Sequence, residues 1–255
     1  MKHITLVIII SFLFISCKEE TKITKKDIEL TAQVIIDKAI ENSCHGNCDN
    51  ATIEFTFRDK KYKSSRNNGA YKLERIMRDS VNEIHDVVTN RGLYRFINDE
   101  LIVVQDSLAL NISDGVNSVH YFAQLPYGLN TSAVQKKLIG ETQIKGNDYY
   151  KINVTFSEDG GGTDFEDEFV YWINKETFTV DYLAYKYATN GGGVRFREAY
   201  NPRVVEGIRF VDYNNYKPEN KEVNLSDLDQ LFTEGKLKLL SKIETENVKV
   251  SINKK

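Results

Sequence analysis

Histidine, cysteine and clustered carboxylates are the side chains best suited to chemistry, and this chain uses them sparingly. Its 255 residues hold four histidines and three cysteines, with 37 acids against 34 lysines and arginines. His3 stands in an N-terminal leader, which leaves His45, His85 and His120. No Gly-x-Ser-x-Gly elbow, phosphate-binding glycine loop or His-Glu-x-x-His is present, so nothing pairs a nucleophile with a base and no catalytic residue is expected. His120, followed by Tyr121, reads as a hydrogen-bonded structural histidine. Cys44-His45-Gly46-Asn47-Cys48 offers three metal ligands, but zinc usually takes a fourth from a second cluster, and none is visible. A disulfide between Cys44 and Cys48 is the simpler reading for a pair lying beyond an export leader. Asp159, Asp164, Glu166, Asp167 and Glu168 surround Gly160-Gly161-Gly162. Such a loop supplies calcium with oxygens, yet its spacing is not that of an EF-hand, and a solvated loop is the default. No metal and no cofactor is implied.

The other chemistry within reach is recognition. Arg195, Arg197 and Arg203 follow Gly191-Gly192-Gly193, and their guanidiniums suit an anionic head group. The two glycine triplets bracket a pair of β-rich runs, 168–173 and 178–185, and read as the flexible ends of a central hairpin. In the first run Phe169, Tyr171 and Ile173 share one face while Val170 and Trp172 share the other. Both faces are apolar, so both must be covered, and one cover could be a ligand.

The elements that would position these residues follow from hydrophobic period. Asp27 can cap a helix carrying Ile28, Ala32, Ile35 and Ala39, ending near Ser43 to Gly46. The period then falls to two: Ile53, Phe55 and Phe57 alternate, and short runs near 62–65, 71–76, 83–88, 93–97 and 101–104 extend a strand meander. Asn98-Asp99-Glu100 reads as a hairpin turn. The meander is expected to break at Gly115, with two short helices either side of Leu125-Pro126-Tyr127-Gly128, the second over Ala133, Val134 and Leu138. Strands resume from Glu141, a short helix falls near 225–232, and edge strands close the chain. The fold class is therefore α+β: a curved antiparallel β-sheet, an incomplete barrel, with an N-terminal helix and inserted helices covering its concave face.

The leader narrows the setting. Met1-Lys2-His3, an apolar run over 4–15 and Ser16-Cys17 make a secretory signal too short to span a bilayer. Leu13-Phe14-Ile15-Ser16-Cys17 resembles the lipobox of bacterial lipoproteins, in which the cysteine is lipidated. The expected organisation is a signal over 1–16, a lipidated tether over 17–26 and one domain over 27–255. A net charge of −3 without a basic block does not suggest nucleic acid.

Asn117-Ser-Val-His-Tyr-Phe-Ala-Gln-Leu-Pro-Tyr-Gly-Leu-Asn130, Gly160-Gly-Gly-Thr-Asp164, Tyr171-Trp-Ile-Asn174, Asp181-Tyr-Leu-Ala-Tyr185 and Gly191-Gly-Gly-Val-Arg-Phe-Arg-Glu-Ala199 resemble the recurrent blocks of an uncharacterised family of Bacteroidota lipoproteins. These blocks are not motifs of a known reaction. That family in turn resembles the LolA/LppX-type fold, an incomplete antiparallel barrel plugged by helices around an apolar cavity for acyl chains. The resemblance implies an outer-membrane lipoprotein, periplasmic or surface-exposed, that binds a lipid or other hydrophobic molecule. Tyr121, Phe122, Leu125, Tyr171, Trp172, Tyr182 and Tyr185 are the expected cavity lining, with Arg195 and Arg197 at its mouth. The alternatives are an interaction or scaffold lipoprotein with a solid core and an exposed apolar patch, and, behind it, an enzyme.

Overall fold

The computed structural model describes residues 30–159, 165–188 and 191–253. The expected signal, Cys17, the tether, Asp27, Ile28 and the stretch from Gly160 to Asp164 lie outside those residues. Helix α1 (Ala32–Cys44) starts where Thr31 Oγ1 accepts the Val34 amide at 3.3 Å, one of the orphan donors of a helix N-terminus. Its stripe of Ala32, Ile35, Ile36 and Ala39 is buried, and it ends in left-handed backbone at His45 and Gly46. Cys44 and Cys48 are joined by a disulfide, which engages both sulfurs. His45 Nδ1 bonds the Gly207 carbonyl at 2.9 Å.

Six strands follow: β1 (Ala51–Phe57), β2 (Lys60–Asn67), β3 (Ala70–Arg78), β4 (Glu83–Thr89), β5 (Gly92–Ile97) and β6 (Glu100–Ile102). Asn98 and Asp99, both at positive φ, make the tight turn between the last two, as expected of a two-residue hairpin. Helix α2 (Asp106–Ala123) leads to β7 (Val134–Ile144), β8 (Asn147–Phe156), β9 (Glu168–Asn174), β10 (Val180–Tyr187), β11 (Gly193–Val205) and β12 (Ile208–Lys217). Helix α3 (Leu228–Thr233), β13 (Lys238–Ile243) and β14 (Thr245–Ile252) complete the chain.

All pairing is antiparallel and no barrel closes, in keeping with the expected class, but the strands divide into two sheets where one was expected. The orders are β14-β1-β2-β3-β4-β5-β6 and β13-β12-β11-β10-β9-β8-β7. Twist discourages one open sheet from carrying so many strands. The chain crosses between sheets at Glu244, since β13 pairs with β12 while β14 pairs with β1. Asp212, buried on β12, holds this seam. Its carboxylate accepts from the Thr245 amide at 3.0 Å, from Arg203 Nη2 at 3.1 Å and from Asn201 Nδ2 at 2.7 Å.

Two expectations fail around α2. The meander ends at Ile102, ahead of Gly115, which lies inside α2, where a Cβ would stand 3.2 Å from Arg75 Nη1. Its missing side chain lets the helix settle onto sheet one, and contact outweighs its weak helix propensity. The helix ends at Ala123, followed by a cis Leu125–Pro126 bond and a 3₁₀ turn, Tyr127–Asn130. The expected second helix over Ala133, Val134 and Leu138 is the start of β7. Three apolar residues fit either period, and pairing of Val134 with Phe156 and Leu138 with Ile152 decides for the strand.

The helices also divide between faces. α1 packs on one face of sheet two, over Ile152, Tyr171, Ile173, Leu183 and Tyr213. α3 packs on the opposite face, over Trp172, Tyr182, Val194 and Phe196. α2 packs on sheet one through Val116, Val119 and Ala123.

Replacing Asp212 with alanine strips a buried carboxylate from Arg203 and the Thr245 amide, and is expected to cost about 3–5 kcal/mol. Urea denaturation measures it; a loss below about 1 kcal/mol would show that the seam does not depend on this carboxylate.

Candidate ligand-binding cavity

Where α1 stops covering sheet two, α2 crosses above it and leaves a gap. The alternation of β9 and β10 aims Phe169, Tyr171, Leu183 and Tyr185 toward this gap. A cavity of about 320 Å³ lies there, walled by Tyr121 and Phe122 of α2, Phe156 of β8, Phe169 of β9, and Leu183 and Tyr185 of β10. Arg197 of β11 stands in the same wall, with Asp114, Asn117, Ser118 and Asp167 as the other polar lining. Phe169 is the hub of the aromatic wall. Its ring centroid lies 5.4 Å from that of Tyr185, 5.8 Å from Phe156 and 5.9 Å from both Tyr121 and Tyr171.

The hydroxyls in this wall are internally satisfied. Tyr121 and Tyr171 share a 2.6 Å hydrogen bond, and burial raises both phenols well above their ordinary range. Burial likewise pushes Tyr213 up to about 12. These tyrosines are neutral near pH 7, so they offer hydrogen bonds and ring faces but no negative charge.

A second cavity of about 540 Å³ shares Asn117, Tyr121 and Phe156 with the first, and so lies on the other side of the same aromatic partition. Its polar wall is a relay. Arg66 donates to Gln124 Oε1 and stacks on the Tyr127 ring at 4.6 Å. Gln124 Nε2 approaches His120 Nδ1 at 3.4 Å, and His120 Nε2 donates to the Glu74 carbonyl at 3.1 Å. His120 is therefore the structural histidine expected, with both ring nitrogens engaged.

Of the residues singled out from sequence, Tyr121, Phe122, Tyr185 and Arg197 meet at the first cavity. Tyr171 lies directly behind it, through its bond to Tyr121. Leu125 is core beneath α1 instead of lining. Trp172 and Tyr182 are corrected to the far face, in the core with α3, because a strand alternates sides at every residue. Arg195 is not in the wall; its guanidinium donates to the Tyr187 hydroxyl at 2.7 Å and to the Val194 carbonyl. Gly193 permits that packing, since a Cβ there would lie 2.7 Å from the Tyr187 hydroxyl. Phe156, Phe169 and Leu183 were missed as lining, as were the polar Asp114, Asn117, Ser118 and Asp167. The alternation that selects Phe169 and Tyr171 on β9 identifies Leu183 too, once its pairing with Tyr171 is known. Among the described residues no group of three or more His, Cys, Asp and Glu side chains could hold a metal ion.

The buried His120 makes a pH prediction. Burial, against the bond to the Glu74 carbonyl and aided by nearby Arg66, lowers its pKa from 6.5 to about 4. Above pH 6.5 the ring is neutral folded or unfolded, so its contribution is constant. Between about 6.5 and 4 only the unfolded chain takes up the proton, so stability falls as pH falls. At pH 4.5 the loss should reach about 2–3 kcal/mol relative to pH 7.5. Comparing urea midpoints of the native protein and His120→Gln at both pH values checks this; an equal pH loss in the two proteins refutes it.

No curated protein matches the chain. Among solved structures it is similar to a LolA superfamily protein from Nitrosomonas europaea, at 15% identity over 89% of this chain and 94% of that one, with a TM-score of 0.48. It is also similar to a DUF1329 family protein from Desulfovibrio piger, at 13% identity over 88% and 95% of the two chains, with a TM-score of 0.43. The lipoprotein LppX from Mycobacterium tuberculosis is similar at 13% identity over 63% and 90%, with a TM-score of 0.28. A family model described as "Family of unknown function (DUF6503)" matches residues 2–245, so the chain belongs to that family.

Proposed function

We propose that this protein is a non-enzymatic envelope lipoprotein, anchored to the outer membrane through a lipid on Cys17, that binds a lipid or other hydrophobic molecule between α2 and sheet two. One observation carries the reading: a cavity of about 320 Å³ with an aromatic wall, within the range of small-molecule sites, adjoined by a larger one across the Tyr121 partition. A mostly apolar wall gains from burying apolar ligand surface, at about 25 cal/mol per Å². The signal and lipobox-like ending of the leader support the anchored setting.

A scaffold role has its own observation. Val103 is 96% exposed and Leu101 60%, with Leu108 and Leu110 about half exposed, so the passage from β6 into α2 presents an apolar surface. That surface suits a partner. The cavities, however, are the opposite of the solid core expected of a pure scaffold.

Native mass spectrometry of the purified protein is expected to show a co-purified lipid-sized adduct, or saturable uptake of a fluorescent fatty acid after delipidation. Replacing Phe169 with a charged residue, Phe169→Asp, should weaken that uptake about tenfold or more, because it puts an unpaired charge in the aromatic wall. A protein that is always empty and takes up no probe rules out the binding reading.

A further inference from the structure

Among the described residues Arg197 is the one cation lining the first cavity. It is 9% exposed. Its only hydrogen bond among the described residues runs from Nη2 to the Tyr185 hydroxyl at 2.8 Å. Nε is buried without an acceptor, and no carboxylate among the described residues lies within ion-pair distance. Instead the guanidinium stands over three rings, 4.9 Å from the Phe122 centroid, 5.0 Å from Tyr185 and 5.9 Å from Tyr213. Ring faces offset part of the cost of burying a charge. They do not replace a counter-ion, since desolvating an unpaired ion costs more than ring faces return.

Several partly buried arginines hold carboxylates: Arg75 and Arg95 both clasp the fully buried Asp86, and Arg203 is tied to Asp212. Arg66, like Arg197, has no carboxylate within ion-pair distance among the described residues, but it donates to Gln124 and Ser64, whereas Arg197 Nε is buried without an acceptor.

Asp114 and Asp167 line the same cavity, and neither forms an ion pair with Arg197.

We propose that the ligand is a monoanionic amphiphile with a single apolar chain, whose carboxylate or equivalent anionic group is held by Arg197 together with the Tyr185 hydroxyl, its chain running along Phe122, Phe156 and Phe169. This assignment rests on the binding role proposed above and specifies its chemistry. A carboxylate fits the planar donor fork of a guanidinium, and Tyr185, already bonded to Arg197, is placed to donate to the same anion. Arg195, expected from sequence to share this role, does not line the cavity.

The test uses the purified, delipidated protein and two probes, 11-(dansylamino)undecanoic acid and its methyl ester, which differ only in head-group charge. The native protein is expected to bind the acid at least about tenfold more tightly than the ester, the scale of one charge-assisted hydrogen bond pair. Arg197→Gln should weaken binding of the acid about tenfold or more and of the ester by clearly less, removing the preference, and retained ester binding shows that the variant is folded. Tyr185→Phe, which preserves the ring, should reduce the preference about threefold and keeps the test independent of Arg197→Gln folding. Equal binding of acid and ester by the native protein, or equal weakening of both probes by Arg197→Gln, overturns the head-group assignment and leaves the hydrophobic cavity standing. Failure to bind either probe overturns the cavity reading, and the head-group assignment with it.

Discussion

A strand that is apolar on both faces is stable only when both faces are shielded from water, and β9 and β10 are such strands. Val170 and Trp172 bury one way, Tyr171 and Ile173 the other, and all four are almost fully inaccessible. Much of the architecture answers this demand. α3 and the turn before it shield the Trp172 face with Leu225 and Leu228, joined by the Phe232 ring. α1 shields the Ile173 end of the other face. The remaining end, at Phe169 and Tyr185, falls to α2, which is already committed to sheet one through Val116 and Val119. The space left between α2 and sheet two is the cavity.

The commitment of α2 to sheet one has a polar component. Arg75 approaches the helix at Gly115 and is held in place by Asp86, which Arg95 grips from the other side. Two guanidiniums on one buried carboxylate fix the separation of β3, β4 and β5 side chains beneath the helix. Removing a carboxylate from such a group leaves buried charge uncompensated, which is why arrangements of this kind hold geometry even where they add little net stability. At the opposite edge Asp212 does comparable work for the sheet seam with Arg203 and Thr245.

Polar groups inside the cavity walls follow the rule that burial requires partners. Tyr121 and Tyr171 satisfy each other, and Arg66, Gln124 and His120 form a relay that ends on a backbone carbonyl. Against that background Arg197 stands out, because rings surround it where a carboxylate would be expected. Among the described residues its Nε is buried without an acceptor.

Much of this was legible in the residues themselves. Local signals decided the antiparallel strands, the hairpin at Asn98-Asp99, the α1 stripe, the α3 region and the two-faced hairpin, because period and turn chemistry act over a few residues. The Gly115 and 133–138 expectations failed for one shared reason: a glycine and three apolar residues are locally ambiguous, and a contact with Arg75 and a pairing with β8 resolved them. Within the candidate site, sequence alone was enough to single out Tyr121, Phe122, Tyr185 and Arg197 as side chains suited to an apolar pocket with a charged group. Only tertiary structure decided that Trp172 and Tyr182 belong to the α3 core, that Leu125 lies under α1, and that Arg195 is bound to Tyr187 while Arg197 faces the cavity. The physical reason is that residue type sets what a side chain can do, whereas which face it presents, and to what, depends on strands and helices brought together from distant parts of the chain.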